Sequence, residues 1–86
     1  MTNVKQQILN NLCYTELVYK RINKKLKSNL TKKEIELKLL ELITQTDSHN
    51  INQIGKNYYI YNTTENIRIT VNSNTYRVIT VDKILK

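Results

Sequence analysis

The sequence has no proline, phenylalanine or tryptophan, and only one each of glycine, cysteine and histidine. Each scarcity removes a class of chemistry. One cysteine cannot close an internal disulfide or build a multi-cysteine metal site, so Cys13 reads as a small buried core residue. His49 has no second histidine or cysteine with which to share a metal; it reads as a solvent-exposed loop residue, with a catalytic role as the sharper alternative. With Gly55 alone there is no phosphate-cradling glycine-rich loop. No His–carboxylate or Cys–His pair has workable spacing, and no carboxylate cluster would hold magnesium, so no cofactor or metal is expected. The chain lacks a signal-peptide pattern and any apolar run of about 18 residues, which predicts a soluble, cytoplasmic protein with no membrane partner.

What is present is positive charge. Fourteen Lys and Arg against seven Asp and Glu give a formal net charge of +7. That balance favours polyanionic partners: RNA, DNA or an acidic protein surface. Richness in Asn, Ile and Lys also fits AT-rich coding, so the placement of the cations says more than their number. At 86 residues the chain is expected to form a single domain over 1–86. A domain of this size buries roughly 60–65% of its unfolded surface, which leaves room for a surface or shallow groove rather than a deep cavity.

Hydrophobic periodicity divides the chain into a helical part (1–44), a connector (45–56) and a β-meander (57–86). Over residues 2–13, Val4, Ile8 and Leu12 recur every four positions beside Leu9 and Cys13. Thr15 is an N-cap for a second helix over 15–28, with Tyr14 and Tyr19 at the two positions of a hydrophobic staple. On that helix Val18, Ile22 and Leu26 face one way, while Lys20, Lys24 and Lys27 face the other, flanked by Arg21 and Lys25. Residues 20–33 hold seven basic residues and no acidic one, which is either a solvated face or a stripe that tracks phosphates. Thr31-Lys32-Lys33-Glu34 is a capping box opening a third helix with Ile35, Leu39, Leu42 and Ile43 as its core stripe. Leu37 and Leu40 fall outside that stripe and imply burial on a second side or a partner, including a homodimer. In the connector, Ile51 and Ile54 are expected to tuck under the sheet, and Gly55 marks a position needing positive φ.

The expected fold class is α+β: three N-terminal helices packed on one face of a three-stranded antiparallel meander, with strands over 57–62, 67–72 and 75–85. Ser73-Asn74 reads as a two-residue hairpin, which sets Asn72 against Thr75, Thr70 against Arg77 and Arg68 against Ile79. Alternation then sends Tyr58, Ile60, Ile67, Ile69, Val71, Tyr76, Val78 and Thr80 to the covered face. The open face receives Tyr59, Tyr61, Arg68, Thr70, Asn72, Thr75 and Arg77, with Ile79 and Val81 at its far end. Tyrosines stack on bases and arginines grip phosphates in pairs of hydrogen bonds, so this set suits RNA. The same residues could position a 2′-hydroxyl and neutralise a pentacovalent phosphate, giving a metal-independent endoribonuclease. The plain alternative is an ordinary solvated sheet face.

The runs Ile54-Gly55-Lys56-Asn57-Tyr58-Tyr59-Ile60 and Asn66-Ile67-Arg68-Ile69-Thr70-Val71-Asn72-Ser73-Asn74-Thr75-Tyr76-Arg77-Val78-Ile79-Thr80-Val81-Asp82 resemble a small uncharacterised family from low-GC Gram-positive bacteria. The runs Cys13-Tyr14-Thr15-Glu16-Leu17-Val18 and Arg21-Ile22-Asn23-Lys24 fit it too. That family implies no activity. More distantly, helices followed by a meander ending Arg-Val-Ile-Thr-Val are similar to the RNase-toxin superfamily of barnase, RelE and colicin D. That resemblance implies RNA held on the sheet face, with Arg68, Thr70, Arg77 and Thr80 acting on the phosphate and Lys24 or Lys25 as helix-borne contacts. It departs in strand number and in lacking an alignable catalytic histidine.

Three functions stay open at this stage. One is an RNA-directed module that binds or cleaves through Tyr59, Tyr61, Arg68, Thr70, Arg77 and Thr80, with Lys20, Lys24, Lys25 and Lys27 as further contacts, on a toxin–antitoxin or mobile-element background. The second is a winged-helix-like DNA binder using Lys32, Lys33 and Lys38. The third is an adaptor or inhibitor that occupies an acidic protein. RNA is favoured over DNA because the third helix carries leucines on its outer side, poor for reading base edges.

Overall fold

Each helix begins where the sequence supplies an oxygen to accept a free backbone N–H. The computed structural model describes residues 3–84, in which α1 spans Val4–Asn11, α2 Glu16–Leu26 and α3 Lys32–Gln45. Asn3 Oδ1 accepts from the Gln6 amide and Thr15 Oγ1 from the Val18 amide. At Thr31 the capping box is complete: Glu34 N donates to Thr31 Oγ1 at 3.2 Å and Thr31 N donates to Glu34 Oε1 at 2.8 Å. The staple is present as well, with the Tyr14 and Tyr19 rings stacked at 5.4 Å. Lys27 ends α2 in the left-handed conformation, and Asn23 ties that end to the next loop through Leu30 and Ser28.

A short 3-10 turn, Ser48–Asn50, then leads into an antiparallel sheet of four strands in the order β1 (Ile51–Ile54), β2 (Asn57–Asn62), β3 (Ile67–Asn72) and β4 (Val78–Lys83). The helices cover one face. Ile8, Val18, Ile22, Ile35, Leu39, Leu42 and Ile43 meet Ile60, Ile67, Ile69, Val71, Val78 and Val81 in a single core. Asn62 is buried at its margin and satisfied, donating to the Leu42 carbonyl and accepting from the Glu65 amide.

Several expectations change. The sheet has four strands, not three, because the connector supplies β1 through a two-residue turn at Gly55-Lys56, where Gly55 has φ 61°. Ile51 reaches the core from β1, but Ile54 does not tuck under the sheet and is 64% exposed. Helix α1 stops at Asn11, since Leu12 turns extended and Cys13 forms a parallel bridge with Arg77. Cys13 is therefore exposed rather than a core residue. The expected helix start at Thr2 and strand end at Leu85 lie outside the described residues.

The largest correction concerns strand register. Ser73-Asn74 is not a two-residue hairpin: Asn72 N donates to the Arg77 carbonyl and Tyr76 N to the Asn72 carbonyl, closing a loop of four residues. Asn72 Oδ1 accepts from the Asn74 and Thr75 amides inside it. Val71 then pairs with Val78 and Thr70 with Thr80, leaving Ile79 as the extra residue of a β-bulge. The physical reason is the core. Val78 and Val81 are three apart, so strict alternation would send one of them into water; the bulge buries both. Beyond it, Thr80 and Asp82 turn to the open face, and Val81 joins Ile69 inside.

Candidate nucleic-acid interface

The open face is ordered in rows that run across the strands. One row is Tyr61, Arg68 and Asp82, directly opposite one another in β2, β3 and β4. The next is Asn52, Tyr59, Thr70 and Thr80. The third holds Ile54, Asn57 and Asn72, with Arg77 across from Asn72 at the loop. Tyr59 and Tyr61 are half-buried, and Asn57 donates to the Tyr59 hydroxyl at 3.4 Å.

Of the residues expected to act on a phosphate, the structure brings Arg68, Thr70 and Thr80 near one another and leaves Arg77 apart. Arg68 and Asn72 are four positions apart on β3, so Arg77 stands on the order of 13 Å from Arg68 at ~3.3 Å per residue. Thr70 is only 5% exposed, which leaves its hydroxyl little access to a ligand. The His49 side chain is 93% exposed on the 3-10 turn ahead of β1, where its ring meets Asp47 at 2.6 Å.

Asp82 was missed by sequence reasoning and organises this surface. Its Oδ1 accepts from Lys25 Nζ at 3.0 Å and its Oδ2 from Arg68 at 3.2 Å. Helix α2 lies along β4, so a helix lysine reaches round the outer strand to meet a sheet arginine. Arg21 follows the same edge, donating to the Ile79 carbonyl at 3.4 Å. Lys20, Lys24 and Lys27 continue the stripe outward, all exposed. The cations of α2 and those of the open face thus form one surface around the β4 edge. Lys32 belongs elsewhere: it pairs with Glu16 at 2.7 Å and lies over the Tyr19 ring.

Electrostatics follow from these contacts. Partial burial alone would raise the Asp82 carboxyl, but hydrogen bonds from Lys25 and Arg68 outweigh it and hold the group below the ordinary carboxylate range. The Asp82 carboxylate in turn holds Arg68 above its usual value, with partial burial opposing and Tyr61 adding. Arg68 Nε is shut away from solvent and has no acceptor among the described residues. Among the described residues, no group of three or more His, Cys, Asp or Glu could hold a metal ion. A cleft of about 520 Å³ lies on the opposite side, between the start of α1 and β1, lined by Val4, Lys5, Ile51 and Tyr58 among others.

A family model matches residues 6–82, nearly the whole of this architecture. The chain belongs to the DUF3781 family. The family is described as protein of unknown function, so membership gives kinship without an activity. No curated protein and no solved structure matches the chain. The matched span of this DUF3781 chain includes all three rows of the open face and every basic residue of α2. No helix among the described residues is long and apolar enough to cross a membrane. Leu37 and Leu40 stand 57% and 37% exposed on α3, outside its buried stripe.

Proposed function

We propose that this chain binds single-stranded RNA along the open sheet face and the adjoining edge of α2. The observation that carries the reading is the meeting of Lys25 and Arg68 at Asp82, which makes helix and sheet cations one continuous footprint. Tyr59 and Tyr61 offer stacking surfaces to successive bases, each worth roughly 1–3 kcal/mol, and Lys20, Lys24, Lys27, Arg21 and Arg77 take backbone phosphates. A sheet face whose helices pack on its other side suits an unstacked strand better than a duplex, because no described helix stands on it to enter a groove. The resemblance to RNase toxins points to RNA on the same sheet face. Cleavage is the weaker form of the reading, since Thr70 is buried and the two arginines stand too far apart to share one phosphate.

Fluorescence anisotropy with a labelled oligouridylate tests this. Lys20, Lys24 and Lys27 changed together to Gln should weaken binding and lower the salt slope by about 2, at ~0.7 per phosphate contact on single strands. Tyr61→Ala should cost on the order of tenfold in affinity with the slope unchanged. Binding no stronger than to a neutral peptide-nucleic-acid control at moderate salt would overturn the proposal. In that case an acidic protein becomes the partner to seek.

A further inference from the structure

Resting on the RNA reading above, we propose that Asp82 is an internal stand-in for a nucleic-acid phosphate. Its carboxylate holds Lys25 and Arg68 where a phosphodiester of the bound strand sits, and binding exchanges one anion for the other. Asp82 is the only acidic residue on any of the four strands, and it stands among cations on a face whose other members are neutral or basic. Its two oxygens each take one cation, as the two free oxygens of a phosphodiester would.

The pairing is one that a ligand can displace. Side chains of Lys25 and Arg68 are 50% and 39% exposed and that of Asp82 is 25% exposed, so a strand can reach the site from solvent. Ion pairs this open to water hold little. Arg68 uses a single nitrogen on Asp82, while its Nε has no acceptor among the described residues, so the guanidinium is not in the paired geometry it makes with oxyanions. In the free protein the carboxylate keeps Lys25 and Arg68 positioned and lowers the pull of the surface on stray anions. A polyanion that supplies a phosphate there, together with bases on Tyr61 and Tyr59, wins the exchange through its many contacts.

The test uses Asp82→Asn and Asp82→Glu in the full chain, with the labelled oligouridylate and with inorganic phosphate. Asp82→Asn should bind the oligonucleotide roughly fivefold more tightly at low salt, the effect of deleting one like charge at contact distance in water. Its salt slope should stay close to that of wild type, because the exchange places the same phosphate on Lys25 and Arg68 in both proteins. Asp82→Glu keeps the charge and should stay near wild type. On the unmodified protein, phosphate titration followed by NMR should move the Arg68 side-chain N–H and Lys25 ammonium signals before other basic residues. The NMR arm holds even if Asp82→Asn loosens α2 from β4. Unchanged or weaker binding by a folded Asp82→Asn protein overturns the exchange and leaves the RNA reading standing. If phosphate moves Arg68 and Lys25 but no oligonucleotide binds, the anion site stands and the RNA reading falls. Phosphate shifts confined to other residues overturn the site itself.

Discussion

Two tyrosines five positions apart, Tyr14 before α2 and Tyr19 within it, contribute differently to stability through their hydroxyls. Tyr19 Oη donates to Glu36 Oε2 at 2.6 Å, whereas the Tyr14 hydroxyl is buried with no partner among the described residues. Removing a made hydrogen bond costs, and removing an unmade one does not. Tyr19→Phe should therefore destabilise by about 0.5–1.5 kcal/mol, and Tyr14→Phe should be neutral or stabilising by up to ~1 kcal/mol, as read from urea midpoints. The same pair sets an alkaline limb. Burial, then the hydrogen bond to Glu36, pushes the Tyr19 phenol from 10.0 up to about 12; burial and the Glu36 charge raise Tyr14 further. The folded state thus keeps protons that the unfolded state has lost. This contribution is whole below about pH 10 and falls away as pH climbs toward 12. Tyr19→Phe should flatten that decline, measured by repeating the urea titrations between the two pH values.

The elements were legible to different degrees, for reasons that lie in how each is determined. Helix starts rest on local chemistry, so the Thr15 and Thr31 caps and the Tyr14–Tyr19 staple could be read directly and stand as expected. β1 was hidden because Asn52 and Gln53 break its apolar pattern, and as an edge strand it needs only one neighbour. The register of β4 could not come from its loop, since the bulge is decided by the core's need for both Val78 and Val81. One signal was available: apolar residues at 78 and 81 on a strand that should alternate, with polar Thr80 and Asp82 set against them. Asp82 was missed with it, because meeting Lys25 depends on where α2 lies. Near-isosteric exchanges test the register. Val81→Thr should cost about 1–3 kcal/mol by burying a hydroxyl with no partner, and Thr80→Val should change stability by less than ~0.5 kcal/mol. A near-neutral Val81→Thr with the larger effect at Thr80→Val would show strict alternation instead. The loop itself predicts that Asn72→Ala, which deletes an acceptor for two amides, lowers stability by about 1–2 kcal/mol in the same denaturation assay.

On the scale of the whole molecule, the net charge of +7 matters less than the placement of cations on α2 and on the open face, two surfaces joined at one edge. The principal extents of 38 × 29 × 22 Å set how much strand either surface can hold alone. A short oligonucleotide has room for the sheet face, with Tyr59, Tyr61 and Arg68, without reaching Lys20, Lys24 or Lys27. A longer one must turn round the β4 edge to engage both. Affinity for the shortest oligouridylates that bind should then be indifferent to changing Lys20, Lys24 and Lys27 to Gln, yet sensitive to Tyr61→Ala. As length increases, sensitivity to the lysine changes should appear and grow while that to Tyr61 stays constant, and the salt slope should steepen over the same lengths as further phosphates are neutralised. Anisotropy titrations over a ladder of oligonucleotide lengths read both quantities together. Were the lysine stripe only a solvated face, length would raise affinity through statistical sites alone, and the lysine variant would track the wild type throughout.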